Sequence, residues 1–98
     1  MDFKVLITDN ALADLREIVQ FVAHDDPTAA LRLGEKLIVR AMGLATMPGR
    51  FPLHDPKRGI RKLSLPPYLV FYTCDTAAGL VNILHFWHGA RRHPEFPS

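Results

Sequence analysis

The chain is poor in cysteine and has no long apolar run, and each absence excludes a class of protein. Its one cysteine, Cys74, has no second cysteine with which to form an internal disulfide, so we expect a reducing compartment. No apolar stretch approaches the roughly 20 residues that cross a bilayer. The N-terminus lacks the basic start, apolar stretch and small-residue cleavage site of a secretory signal. We therefore expect a cytoplasmic protein with no membrane partner.

Sequence signatures of metal sites are also missing. The five histidines are accompanied by neither a Cys-x-x-Cys pair nor a His-Glu-x-x-His motif, two spacings that commonly hold zinc. His85 and His88 are three residues apart, which on a strand directs the two rings to opposite faces. We predict no metal site and no cofactor.

Length and charge pattern set the next expectations. The 98 residues, of which 48% are apolar, suffice for one domain with a usable core and are too few for two, so we predict a single domain over residues 1–98. The first 49 residues carry five Lys/Arg against seven Asp/Glu, and the remainder carries seven against three. This imbalance predicts that the C-terminal half contacts an acidic partner, either nucleic acid or an acidic protein segment.

Two amphipathic helices are predicted in the N-terminal half. Apolar residues recur every three or four positions from Asn10 to about His24, the helical period. Asp26 and Pro27 then form a start signal for a second helix, which we predict to run to about Ala45. The short link between them predicts an antiparallel hairpin.

Strands are predicted on either side of this hairpin. A short β-rich segment at residues 3–8 precedes it, and the ranges 60–65, 68–74 and 80–88 follow a loop over 48–59. The order is β-α-α-β-β-β. We predict an α+β fold in which the hairpin packs against an antiparallel sheet. The last strand is apolar at both alternations, which favours a central strand covered on both sides over an edge strand.

Two basic clusters, at residues 57–62 and 88–93, form the candidate binding surface. Their cations can bind phosphate or carboxylate. Neighbouring residues of a strand point to opposite faces, so the first cluster cannot converge on one point. The residues predicted to contact a target or partner are Lys57, Arg58, Arg61, Lys62, Arg91 and Arg92.

Histidine chemistry supplies an alternative prediction. Metal-independent RNA cleavage needs a base for the 2′-hydroxyl, a cation for the phosphate charge and an acid for the leaving oxygen. His88 borders a loop and is the better candidate for base or acid, with Lys62 and Arg91 stabilising the phosphate. His85 lies within an apolar strand and is interpreted as a packed histidine with a satisfied hydrogen bond.

Three segments resemble, in this order, the RelE/ParE superfamily of bacterial type II toxins. They are ALADLREIVQFVAHDDPTAALRLGEKL, GIRKLSLPPYLVFYTCD and VNILHFWHGARR. The resemblance implies two helices against an antiparallel sheet. It also implies a hetero-oligomer with a cognate antitoxin, whose binding segment folds on the toxin.

The superfamily divides by target: RelE-like toxins cut mRNA on the ribosome, and ParE-like toxins inhibit DNA gyrase. Lys62 and Arg91 match RelE-like positions. Leu69 and Ile60 stand where that branch often has an arginine and a lysine. The ending His-Gly-Ala-Arg resembles the ParE-like, or plasmid-stabilisation, branch.

We therefore predict a ParE-like toxin that inhibits growth through DNA gyrase and is neutralised by an antitoxin. The inhibitor is favoured over an enzyme. The alternatives are a RelE-like mRNA endoribonuclease acting at the ribosome, and a degenerate, non-toxic member that only binds its antitoxin.

Overall fold

Seven main elements make up residues 2–91, the part of the chain that the computed structural model describes. Their order confirms the predicted one and adds a short strand. The strands are β1 (Lys4–Ile7), β2 (Leu53–Asp55), β3 (Ile60–Leu65), β4 (Tyr68–Asp75) and β5 (Leu80–His88), and the helices are α1 (Asp9–Ala23) and α2 (Pro27–Met42).

Both helices begin at capping side chains. Thr8 Oγ1 accepts a hydrogen bond from the Ala11 N–H, and Asp26 Oδ1 accepts one from the Ala29 N–H at 3.0 Å. These bonds satisfy N–H groups that have no partner within the helix. The α2 helix ends at Met42, and a 3₁₀ turn continues over Gly43–Ala45, so the predicted end near Ala45 is reached with a tighter last turn.

The helical hairpin packs on one face of the sheet. At the hairpin contact, a Cβ on Gly34 would lie 3.2 Å from Val19 Cγ2, so glycine permits the close approach of the two helices. The core between helices and sheet is apolar, and its buried members are Ala11, Leu15, Leu37, Ala41, Leu44, Leu63, Leu65, Val70, Tyr72, Val81, Ile83 and Phe86.

The sheet is mixed, which corrects the prediction of a wholly antiparallel one. Its order is β1-β5-β4-β3-β2; β1 runs parallel to β5, and the other neighbours are antiparallel. Most of the domain separates β1 from β5 in the chain, so no tight turn dictates their relative direction. The strand β5 lies between β1 and β4, which confirms that it is not an edge strand. The predicted cover on both sides is not borne out by the described helices, since both pack on the same face of the sheet.

The strand β2 lies within the predicted loop. It is three residues long, and its register with β3 is irregular between Leu53 and Asp55. Residues 53–55 form a strand because they pair with β3. They have no periodic pattern of their own, so the sequence did not predict β2.

The loop before β2 is held by a buried tyrosine. Tyr72 is completely buried, and its hydroxyl donates to the Pro48 carbonyl at 2.5 Å. Burial raises the pKa of Tyr72 from 10.0 to about 12, against the lowering effect of the nearby Arg61 and Arg50. The phenol of Tyr72 therefore stays neutral in the folded protein at pH values where it ionises in the unfolded chain.

We expect Tyr72→Phe to lower the free energy of unfolding by about 1–2 kcal/mol at neutral pH, because the Pro48 carbonyl loses its donor. The wild type should lose stability as the pH rises from 10 to 12, since the unfolded phenol ionises first. Urea unfolding at several pH values measures both effects. An alkaline loss of equal size in the Phe variant would show that Tyr72 is not its source.

Candidate functional site

A groove of about 300 Å³ lies between α1 and the C-terminal end of β5. One wall comes from the second half of α1, and the other comes from the adjoining ends of β4 and β5 with the turn that follows. Helical spacing of three and four residues brings the α1 residues onto one side. The lining residues are Asp14, Glu17, Ile18, Phe21, Val22, Tyr68, Phe86, Trp87, His88 and Arg91.

Most of the groove lining is apolar or aromatic. Phe21 is 80% exposed, although it stands beside Ile18, Val22 and Tyr68 in the same lining. A single exposed apolar side chain is ordinary, but a contiguous group in a concave surface indicates a binding site. The basic cluster at residues 88–93 predicted one end of this groove, since His88 and Arg91 line it. The α1 side was not predicted, although Phe21, a large apolar residue beside the helix's apolar stripe, was a signal for it.

One end of the groove is positioned by the turn after β5. The Arg91 N–H donates to the His88 carbonyl at 3.0 Å, and the Ala90 N–H donates to His88 Nδ1 at 3.1 Å. Because Nδ1 accepts this bond, the neutral imidazole carries its proton on Nε2. The ring also contacts Tyr68 edge-on, with centroids 5.4 Å apart. His88 and Arg91, both predicted site residues, are thus brought together.

The far face of the sheet, which bears no helix within residues 2–91, carries another predicted residue. Register places Lys62, Phe71 and His85 in one row across β3, β4 and β5. Leu65 belongs to the helix-facing core. It pairs with Tyr68, which pairs with His88, so His88 lies on that same face. Lys62 comes three residues before Leu65 in β3, and alternation along the strand puts it on the other face. Lys62 and His88 therefore lie on opposite faces of the sheet.

The other predicted cations within residues 2–91 lie away from the groove. Arg61 Nη1 donates to the Phe51 carbonyl at 2.6 Å, so it holds the loop before β2. Lys57 and Arg58 occupy the turn between β2 and β3, at the opposite end of the strands, and Arg58 Nε is 3.9 Å from Asp55. Arg92 lies outside the described residues. Within the described part of the chain, only Arg91 of these cations lines the groove.

An Asp–His pair, which was not predicted, links α1 to β5. His85 Nδ1–H donates to Asp14 Oδ2 at 2.7 Å, and the two side chains are only 16% and 18% exposed. Asp14 also accepts from the backbone N–H of Phe86. Burial raises the pKa of Asp14 and outweighs the lowering effect of these hydrogen bonds. The partners are 71 residues apart in sequence, so no local pattern could have found the pair.

The described residues form neither a metal cluster nor a membrane-spanning helix. Within residues 2–91, no three His, Cys, Asp or Glu side chains are grouped closely enough to hold a metal ion. The two described helices are each too short or too polar to cross a membrane.

Comparison with known proteins shows the family to which this chain belongs. The family model described as ParE toxin of type II toxin–antitoxin system, parDE, matches residues 5–93. Toxin RelE2 of Caulobacter vibrioides is 37% identical over 89 residues, which cover 90% of this chain and 97% of that protein.

Two solved structures share the fold. The chromosomal ParDE toxin–antitoxin system of P. aeruginosa contains a chain that matches with a TM-score of 0.74 at 22% identity, over 88% of this chain and 95% of that one. The RelBE2 toxin–antitoxin complex of Mycobacterium tuberculosis matches with a TM-score of 0.70 at 24% identity, over 93% and 95%. The hairpin-on-sheet architecture is therefore that of the RelE/ParE superfamily, whose members are type II toxins. Since the family model spans nearly all of the chain, this protein belongs to the ParE toxin family.

We expect Asp14→Ala to lower the free energy of unfolding by about 1–3 kcal/mol, because the His85 and Phe86 donors lose their acceptor at a largely buried position. Asp14→Asn keeps an acceptor oxygen and should cost less. A double-mutant cycle with His85→Ala, followed by urea unfolding, measures the coupling. Additive losses would mean that the pair does not tie α1 to β5.

Proposed function

We propose that this toxin arrests growth by inhibiting DNA gyrase, and that a cognate antitoxin silences it by occupying the groove between α1 and β5. The observation that carries the gyrase proposal is the separation of Lys62 from His88 and Arg91 by the thickness of the sheet. The match to the ParE family supports it.

This separation bears directly on RNA cleavage. A ribonuclease that uses no metal needs its base and its cations around a single phosphate and the adjoining 2′-hydroxyl. Side chains on opposite faces of a sheet point away from each other. One phosphate at His88 would therefore meet Arg91 without Lys62, and the predicted catalytic set lacks one of its charges.

The groove suits a partner protein better than a small substrate. Its lining is largely apolar, with Phe21 mostly exposed to solvent, and it also includes charged residues. An amphipathic segment that folds on binding would bury the apolar part of the lining and leave its polar side toward water. The resulting toxin–antitoxin complex is a hetero-oligomer, like the complexes solved for the two structural relatives.

An mRNA endoribonuclease is the second candidate, and one contact favours it. Since His85 donates its Nδ1–H to Asp14, the neutral ring carries no proton on Nε2, as a general base requires. His85 on β5 and Lys62 on β3 share the far face, with Phe71 of β4 between them. In this reading His85, rather than His88, is the base.

The decisive experiment is tightly induced expression without antitoxin, with DNA topology and transcript integrity followed over the first minutes. We expect growth arrest, relaxed or broken DNA and an SOS response while transcripts stay intact. Rapid mRNA cleavage with intact DNA, abolished by His85→Ala, would establish the ribonuclease instead. Continued growth would overturn both activities and leave antitoxin binding as the remaining function.

A second prediction separates target contact from antitoxin contact. Lys62→Ala should weaken gyrase inhibition in a supercoiling assay by about tenfold, the effect of losing about 1.4 kcal/mol. Its affinity for the antitoxin should stay the same, because Lys62 lies on the face opposite the groove. Lys36→Ala, an exposed change on α2, is the matched control. Full gyrase inhibition by the Lys62 variant would exclude that residue from the target contact.

A further inference from the structure

The groove carries charges of opposite sign on its two walls. The α1 wall holds the carboxylates of Asp14 and Glu17, and the other wall ends in the guanidinium of Arg91. The apolar side chains of Ile18, Phe21 and Tyr68 belong to the same lining. A polypeptide segment bound in the groove would therefore contact negative charge on one wall, positive charge on the other, and apolar side chains.

Two of these charges are available to a partner. Asp14 is bound to His85 and to the Phe86 N–H, and its side chain is mostly buried. Glu17 and Arg91 are exposed, and within residues 2–91 neither side chain makes a hydrogen bond or ion pair. Covering the groove would take both out of water, and a desolvated charge without an opposite partner opposes binding.

We propose that Glu17 and Arg91 select and orient the antitoxin: its segment in the groove places a lysine or arginine against Glu17, an aspartate or glutamate against Arg91, and apolar side chains between them. This inference rests on the proposed function, since it assumes that an antitoxin binds in the groove. It specifies the charge pattern that the segment must carry.

The pattern acts by rejection as well as attraction. A segment inserted in the reverse direction would bring like charges together on both walls, at a cost in affinity. A nucleic acid would bring phosphates to Glu17 and Asp14, so the same wall disfavours it. The arrangement therefore fits a protein segment of mixed charge.

The test uses charge reversal on each wall. Glu17→Lys and Arg91→Glu should each weaken binding of the purified cognate antitoxin by tenfold or more, measured by calorimetry. Glu35→Lys and Arg32→Glu make the same charge changes at exposed positions of α2 outside the groove, and should change the affinity less than twofold. Unchanged circular dichroism and melting temperature would establish that the four variants are folded.

Compensating changes in the antitoxin identify the contacts. Each charged residue of its binding segment is reversed in turn. We expect one Lys or Arg reversal to restore binding to the Glu17 variant only, and one Asp or Glu reversal to restore binding to the Arg91 variant only. Phe21→Ser, which changes no charge, should weaken binding without being restored by any reversal.

The outcomes are distinct. Wild-type affinity in both charge variants, losses no larger than in the α2 controls, or losses that no reversal restores would each overturn this inference. If the antitoxin binds and neutralises the wild type in those cases, the proposed silencing by antitoxin stands without the charge pattern. An antitoxin that does not bind the wild type would overturn both.

Discussion

The edge of β5 has to be satisfied beyond Ile83, because its neighbour β1 ends at Ile7. Two contacts meet this need, one from Thr8, the N-cap residue of α1, and one from Asp14 within the helix. The Thr8 hydroxyl and N–H both donate to the Ile83 carbonyl, at 2.7 and 3.1 Å, and Asp14 accepts from His85 and from the Phe86 N–H. Helix α1 therefore lies along the part of the β5 edge that β1 does not pair with, since unpaired backbone groups at a partly buried position are costly. Held in this position, α1 forms one wall of the groove.

The same junction separates the surfaces of the protein. With α1 and α2 on one face, His88 and Arg91 belong to the groove beside α1, whereas Lys62 and His85 belong to the far face. Asp14 connects the two, since it lines the groove and binds a histidine of the far-face row. A toxin that must bind both a target and an antitoxin can use the two surfaces for different partners.

Periodicity and capping chemistry predicted most of the fold. The α1 and α2 helices, β3 and β5 begin within a residue of their expected positions, because their patterns are local and strong. The short β2 and the parallel pairing of β1 were not predicted. Both depend on which strand lies alongside, and residues near in sequence do not encode that.

The candidate site divides in the same way. By itself the sequence determined the helical hairpin, the alternation that sends Arg61 and Lys62 to different faces, and the proximity of His88 to Arg91, since each involves residues a few positions apart. Only the tertiary structure brought Asp14 to His85 across 71 residues and set the second half of α1 against the ends of β4 and β5. Contacts between distant segments follow from how the hydrophobic faces pack, and packing is a property of the whole chain.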